Sequence, residues 1–537
     1  MSLSSTPLFS ILTPVYNPPI DALDAAIASV QAQTCTDWEL ILVDDCSTDP
    51  AVRVALNRAH AADPRITVLY RSENGGICAS SQQALEHARG RFVALLDHDD
   101  ALAARALELV AAAIAQADDV DFVYTDEDKL DPAGRSYDVF AKPDWSPERL
   151  RSQMYTGHLS VIRTELARSV GGFRSGFEGS QDYDLVLRVT EQARTISHVP
   201  QVLYHWRAVP GSTADDANAK PYTADAARRA IEEHLHRTGI DATATRGSVV
   251  GTYRVNRRLR PERTVSIVIP TRGGSGIVWG RERCFVVEAV RSALAMTEHE
   301  NLEIVVVADT VTPPEVLQQL EELAGSQLVV VPYSEPFNFS RKCNVGYVAA
   351  RGEYIVFLND DVEVVTPGWL EALVTPLEES DVGLVGAKLL YSDGHVQHGG
   401  HLYHEHQYTH AYHWAEADSV AGFSALQIDR EVSGVTAACV AIRREVFEEI
   451  GGFCELLPGN FNDVDFCFKV SNARYRMLYL AQVVLFHFES RSRVPRVFPW
   501  EQRTVIGRWG SPEIDPYLPN RTGRAAVLSP SGRVRIR

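Results

Sequence analysis

From residue 9 onward the chain alternates short apolar runs with longer amphipathic ones. Phe9 to Thr13, Glu39 to Val43, Ile66 to Tyr70, Phe92 to Leu96 and Phe122 to Thr125 are β-branched and strand-sized, whereas Ile20 to Gln31, Pro50 to His60, Cys78 to Ala88 and Leu102 to Ala115 repeat apolar residues at helical spacing. Strand and helix in turn predict an α/β fold: a Rossmann-like, doubly wound, mostly parallel sheet with helices on both faces. Ligands of such a sheet belong at the carboxyl ends of its strands. Asp44, Asp45, Asp97, Asp99 and Asp100 all lie just past strands, so their loops are expected to converge on one edge.

The pattern then runs a second time. Ser10-Ile11-Leu12-Thr13-Pro14 returns as Ser266-Ile267-Val268-Ile269-Pro270, and the acidic landmarks follow in the same order. Asp44-Asp45 answers to Ala308-Asp309, Asp97-His98-Asp99-Asp100 to Asn359-Asp360-Asp361, Gly172-Phe173 to Gly452-Phe453, Asp182-Tyr183-Asp184 to Asp463-Val464-Asp465, and Tyr204-His205-Trp206 to Phe486-His487-Phe488. A period of about 260 residues marks a duplicated domain rather than a solenoid. The basic run Arg257 to Pro261 reads as the linker, which divides the chain into domains 1–255 and 256–537. The second ends in an Arg-rich tail from Arg521 to Arg537, read as a solvated terminus.

Composition narrows the partners. The 537 residues carry a formal charge of -18, which argues against nucleic acid, because phosphate backbones demand clustered Lys and Arg. No apolar run approaches a membrane-spanning helix, and the N-terminus lacks a basic-then-apolar signal. Eight scattered cysteines without a CxxC pair fit reduced thiols, and with them a cytoplasmic setting.

Chemistry concentrates at the strand ends. Two carboxylates one residue apart after a buried strand turn their oxygens to one point, which suits a divalent cation such as Mg2+ or Mn2+. Asp97 and Asp99 meet this description, and Asn359 and Asp361 repeat it with one amide. A single pair would read as a solvated turn or a helix cap. Its recurrence in register favours the cation. Asp182 and Asp463 each open an apolar helix, where capping and catalysis are compatible.

The order strand-Pro, Val-Asp-Asp, Asp-x-Asp-Asp, Gly-Gly-Phe and x-Asp-x-Asp-Leu resembles the family 2 nucleotide-sugar glycosyltransferases of the GT-A fold, over nearly the whole chain as two tandem modules. Pro336 to Ser340, Phe357 to Val362 and Asn462 to Asp465 resemble modules of bacterial O-antigen and rhamnan-type polysaccharide synthesis. The resemblance implies a nucleotide-sugar donor (UDP-, GDP- or dTDP-linked) and a lipid-linked or oligosaccharide acceptor. It implies inverting transfer at two active sites, on the cytoplasmic side and peripherally at the inner membrane through the acceptor lipid. It places Pro14, Tyr16 and Asp45, matched by Pro270 and Asp309, on the base and ribose. Asp97, matched by Asn359, falls near the ribose or metal. Asp99 and Asp361 become metal ligands, and Asp182 and Asp463 the general bases that deprotonate the acceptor. His205 and His487, about twenty-three residues further on, match a late metal-binding histidine of the relatives. Arg207, Arg491 and Arg493 are candidates to pair with the diphosphate.

The second module departs from this pattern at Ala308 and Asn359, which opens an alternative in which one module is catalytic and the other a scaffold or acceptor-binding module. A sugar nucleotidyltransferase is a further alternative, but it calls for a basic, Gly-rich loop after the first strand, and Pro14 to Pro19 is not one. The histidine-rich stretch His395 to His413 reads as an extended loop or hairpin over the substrate, with metal capture as the other reading.

Overall fold

Alternate residues of the central strands belong to different cores. Val265, Ile267 and Ile269 pack in one buried cluster and Val268 in another. Ile304 and Val306 likewise part from Val305 and Val307, and Val356 from Ile355 and Phe357. A sheet covered on both faces needs apolar side chains on both, and for that reason these strands read as unbroken hydrophobic runs.

The structure, a computed structural model, describes residues 6–207, 221–404, 407–488, 497–510 and 512–519, with the short strands Val527–Leu528 and Val534–Arg535. It comprises two units, residues 1–146 with 150–255, and residues 147–149 with 256–537. In the first, strands Ile66–Tyr70, Trp38–Asp44, Phe9–Val15 and Phe92–Leu95 form a parallel block. Beyond it lie Ser160–Arg163, Val120–Leu130, Thr195–Arg207 and Ala101–Leu102, with Ser136–Phe140 paired to Val120–Leu130. The second unit repeats this order as Leu328–Tyr333, Leu302–Asp309, Val265–Thr271, Tyr354–Leu358, Cys439–Arg443, Val382–Leu390, Arg476–His487 and Val362–Val364. The parallel block is the doubly wound part of the α/β fold, and the rest of each sheet is mixed.

The mixing matters for the site. Ser160–Arg163 runs antiparallel to Phe92–Leu95, with Ala94 opposite Val161. Residues just before Ser160 are thereby carried to the carboxyl end of the parallel block. Cys439–Arg443 does the same against Tyr354–Leu358, and the Asn359 N–H donates to the Ala438 carbonyl at 3.0 Å. On the far side, Ala101 pairs with His205 and Val362 with His487, which brings the end of each long strand alongside the acidic loop.

A buried polar staple recurs in both units. The Ser10 hydroxyl donates to Glu39 at 2.6 Å and accepts the Gly90 N–H at 2.7 Å, while the Arg89 N–H reaches the same Glu39 oxygen at 2.7 Å. Ser266, Glu303, Gly352 and Arg351 reproduce the arrangement, with Ser266 donating at 2.6 Å and the Gly352 N–H at 2.7 Å. A Cβ on Gly90 would lie 2.5 Å from the Ser10 nitrogen, and one on Gly352 2.6 Å from that of Ser266. Both positions exclude a side chain.

All eight cysteines are free thiols, with Cys78, Cys343, Cys439 and Cys467 buried. Among the described residues, no helix is long and apolar enough to cross a membrane.

Candidate active sites

In the first unit, Pro14 is the penultimate residue of the strand Phe9–Val15, and Tyr16, exposed, follows the strand. The His98 Nδ1–H donates to the Pro14 carbonyl at 3.0 Å and ties the acidic loop to that strand end. Asp45 is buried. Its Oδ1 accepts the Gly75 N–H at 2.9 Å, its Oδ2 the Gly76 N–H at 2.7 Å, and Arg71 Nε lies 2.9 Å from Oδ1. A carboxylate on the first amides of the helix Gly76–His87 is well placed electrostatically.

The Asp97 to Asp100 loop hangs from the end of Thr195–Arg207. The Tyr204 hydroxyl accepts the Asp97 N–H at 3.3 Å and donates to Asp100 at 2.6 Å. The Arg207 N–H donates to Asp100 at 2.8 Å, and Arg207 Nε to the Asp99 carbonyl at 3.0 Å. Burial raises the pKa of Asp99 and pushes that of Asp100 well up, the latter with help from Asp97 and Asp99. Burial also raises that of Asp182, against the pull of His158. Asp182 opens the helix Gln181–Thr190 and accepts the Tyr183 N–H at 2.8 Å. Such a crowd of carboxylates favours a cation among them.

Ligand atoms of Asp97, Asp100 and His158 lie within 4.8 Å of one another, a set that draws in a histidine not singled out from the sequence. His158 is held through its backbone: its N–H donates to Glu127 at 2.8 Å, and its carbonyl accepts from the buried Lys142 Nζ at 2.5 Å. Its ring stacks on Tyr204 at 4.6 Å. The available signal was its place just before a strand that pairs with the acidic one. His205 Nδ1 lies 2.6 Å from the buried Asp128 carboxylate, which places the ring proton on Nδ1 and the lone pair on Nε2.

In the second unit a cavity of about 500 Å³ is lined by Pro270, Asp309, Asn359, Asp361, Asp463 and His487 together. Asp309 lies at the end of Leu302–Asp309 with Lys342 Nζ 2.6 Å away, and that buried ammonium also donates to the Thr271 carbonyl at 3.1 Å. The Thr271 hydroxyl donates to Asp360 at 2.6 Å, and burial, with Asp361 beside it, pushes the Asp360 carboxyl up to about 7.

His487, like His205, has an oxygen acceptor at Nδ1. The Gln397 carbonyl oxygen sits 2.7 Å from Nδ1, so Nδ1 carries the proton and Nε2 the lone pair. That lone pair accepts the Asn359 Nδ2–H at 3.1 Å and also lies 3.1 Å from Asp361 Oδ1. A cation or a proton shared between them would relieve the repulsion of two lone pairs at this distance. A histidine whose other nitrogen is fixed by an oxygen acceptor is the usual metal-ligating arrangement. The buried Asn359 Oδ1 has no hydrogen-bond partner among the described residues.

Asp463 opens the helix Asn462–Asn472 and accepts the Val464 N–H at 2.9 Å. The second aspartate of each pair is structural. Asp184 is clamped by Arg174 and, at 2.5 Å, Arg188, and Asp465 by Arg508 at 2.7 Å and the Trp509 indole at 2.8 Å.

The histidine-rich stretch folds as the strand Val396–His398 and the hairpin His401–His404 with Gln407–His410, in which His401 faces His410. His401 and His410 line the cavity. His398, His401 and His410 bring ligand atoms within 4.8 Å of one another. The Thr436 N–H donates to His398 Nε2 at 3.2 Å, which leaves the proton on Nδ1 to reach His410 Nδ1 at 2.6 Å. That bond occupies the nitrogen a metal would need. Burial lowers the pKa of all three rings, that of His410 to about 3. Glu405, His406, Arg491 and Arg493 lie outside the described residues, as does most of the Arg-rich tail.

Comparison with known proteins gives a consistent picture. The family model described as Glycosyl transferase family 2 matches residues 10–171 and 266–451. The uncharacterized protein y4gI of Sinorhizobium fredii is 41% identical over 498 residues, which make up 91% of this chain and 54% of that protein. The O-antigen biosynthesis protein RfbC of Myxococcus xanthus is 36% identical over 521 residues, 96% of this chain and 40% of its own. The chain thus spans about half the length of the curated relatives it matches. Among solved structures, S. aureus TarS in complex with UDP-GlcNAc is similar over 42% of this chain and 66% of its own, at 22% identity and a TM-score of 0.36.

Proposed function

The chain belongs to glycosyl transferase family 2, and from that we propose that it moves sugar residues from nucleotide-sugar donors onto a growing cell-surface glycan, with an active site in each unit. The observation that carries this reading is the second unit's cavity of about 500 Å³, in which Pro270, Asp309, Asn359, Asp361, Asp463 and His487 share one space. That volume suits a nucleotide sugar. The O-antigen name of the Myxococcus relative supports a cell-surface glycan as the product; the acceptor would be lipid-linked or an oligosaccharide, reached peripherally at the cytoplasmic face of the inner membrane.

In each unit the first strand end and the aspartate after the next strand receive base and ribose: Pro14, Tyr16 and Asp45 in one, Pro270 and Asp309 in the other. Asp97 and Asn359 lie toward the ribose. Asp361 and His487 would hold a Mg2+ or Mn2+ in the second unit, and Asp99 with the Asp97, Asp100 and His158 group would do so in the first. A cation bound there supplies charge neutralisation for the departing nucleoside diphosphate. Asp182 and Asp463 take the proton of the acceptor hydroxyl as its oxygen attacks the anomeric carbon from the opposite side, and configuration inverts in one displacement. His205, its Nδ1 fixed by the Asp128 carboxylate, would join the first unit's cation site through Nε2.

A second reading, one catalytic unit with the other as scaffold, draws on Ala308 and Asn359. The test is donor binding and hydrolysis across UDP-, GDP- and dTDP-sugars with Mn2+ or Mg2+, for wild type, Asp99→Ala and Asp361→Ala. Loss of a different activity in each variant is expected. Loss in one variant alone would leave the other unit as a scaffold, and a wild type that binds no donor would overturn the transferase reading.

A further inference from the structure

His401 stands beside the proposed second-unit base in a geometry the transfer reaction itself does not require. It is buried on the hairpin strand His401–His404, its Nδ1 3.0 Å from the Tyr403 hydroxyl and its Nε2 3.7 Å from Asp463 Oδ2. Tyr403 is buried as well, and His401 Nδ1 is the hydrogen-bond partner of its hydroxyl among the described residues. A buried phenol leaves its own hydrogen unsatisfied unless it donates. The hydroxyl therefore donates to Nδ1, and the imidazole proton resides on Nε2, on the side of Asp463. The other Asp463 oxygen is already fixed by the Val464 N–H at 2.9 Å.

We propose that His401 is a positioning residue for Asp463: with its tautomer set by Tyr403, its Nε2–H aims the carboxylate and favours its ionised, proton-accepting form. This rests on the reading of Asp463 as the base. The separation of 3.7 Å is longer than a hydrogen bond, and catalytic contacts of this kind tighten when substrate fills the site. The titratable groups around the pair are few. His398 and His410 face the His401 ring edge-on at 5.3 and 5.5 Å, and Asp515 accepts the Tyr403 backbone N–H at 3.0 Å. Burial lowers the pKa of both neighbouring rings, and Asp463 is the carboxylate that faces His401.

Two measurements test the assignment. The first needs no substrate: long-range 1H–15N spectra of the full chain with 15N-labelled histidine, comparing wild type, His401→Gln and Tyr403→Phe. The signal lost in His401→Gln is expected to show the Nε2–H tautomer, and Tyr403→Phe to redistribute it. A His401 protonated on Nδ1 would overturn the proposal. The second is donor hydrolysis against pH with the nucleotide sugar the donor panel selects, in an Asp99→Ala background that silences the first unit. There His401→Phe should lower kcat about tenfold and move the acid limb up by about one pH unit, and His401→Gln, which keeps an N–H, should recover part of both. Matched thermal unfolding midpoints separate this from a folding defect. If Asp463→Asn keeps the wild-type rate, the reading of Asp463 as base fails. If Asp463→Asn is inactive while His401→Phe and Tyr403→Phe keep the wild-type rate and profile, the positioning role of His401 fails on its own.

Discussion

At Asp45 two backbone N–H groups and the Arg71 guanidinium converge on one buried carboxylate, whereas its counterpart Asp309 meets the single ammonium of Lys342. The same landmark thus carries more of the local structure in the first unit than in the second. Asp45→Ala strands buried donors and a guanidinium, and a loss of about 3–5 kcal/mol is expected in the first unit's unfolding by denaturant. Lys342→Met should cost less stability, because the Asp309 side chain is 22% exposed and can hydrate, but it should weaken donor binding in the second unit. Asp182 has the opposite sign. Its folded pKa is raised by burial, so its contribution to stability is present below the ordinary value of 3.8 and is lost as pH rises through the folded one. At pH 7–8 Asp182→Asn is therefore expected to leave the melting temperature unchanged or higher while abolishing first-unit transfer.

The Ser-Glu-Gly-Arg staple is the element that holds the first and fourth strands of each parallel block in register. Gly90→Ala or Gly352→Ala would drive a methyl into strand backbone, and a loss of about 1–3 kcal/mol or more is expected on denaturant titration. Burial alone would raise the Glu39 and Glu303 pKa values, yet the bonds from Ser10 and Arg89, and from Ser266 and Arg351, outweigh it and hold both below 4.5. Their stabilisation is thus complete above pH 4.5 and lost as pH falls through the depressed folded values. Replacing both by Gln should flatten the acid limb of the stability curve, and an unchanged limb would mean that other groups govern acid unfolding. The antiparallel strands Ser160–Arg163 and Cys439–Arg443 do comparable positioning work at the other edge. They deliver His158 in one unit and the Ala438 carbonyl in the other to the acidic loop.

For the whole chain, an active site in each unit predicts that Asp99→Ala and Asp361→Ala act additively on donor hydrolysis, since two independent sites each contribute their own rate. A double variant no worse than the more damaging single one would count against two working sites. The duplication, the alternation of strand and helix, the acidic loops at strand ends and the aspartates opening the two helices were all legible in the sequence. Each depends on periodicity or nearest neighbours, and a linear pattern records both. The sequence also marked Asn359 and Ala308 as losses, yet Asn359 bridges to His487 in the lined cavity. Only the tertiary structure decided which atoms meet. His158 reaches Asp97 because an antiparallel strand is inserted beside the parallel block. His205 pairs with Asp128 while His487 pairs with Asp361. Lys342 reaches Asp309 from a neighbouring helix, and His401 reaches Asp463 from a hairpin. These outcomes turn on sheet register and on competition among buried polar groups for a few partners, often from segments far apart in the chain, and no local pattern of residues encodes that competition.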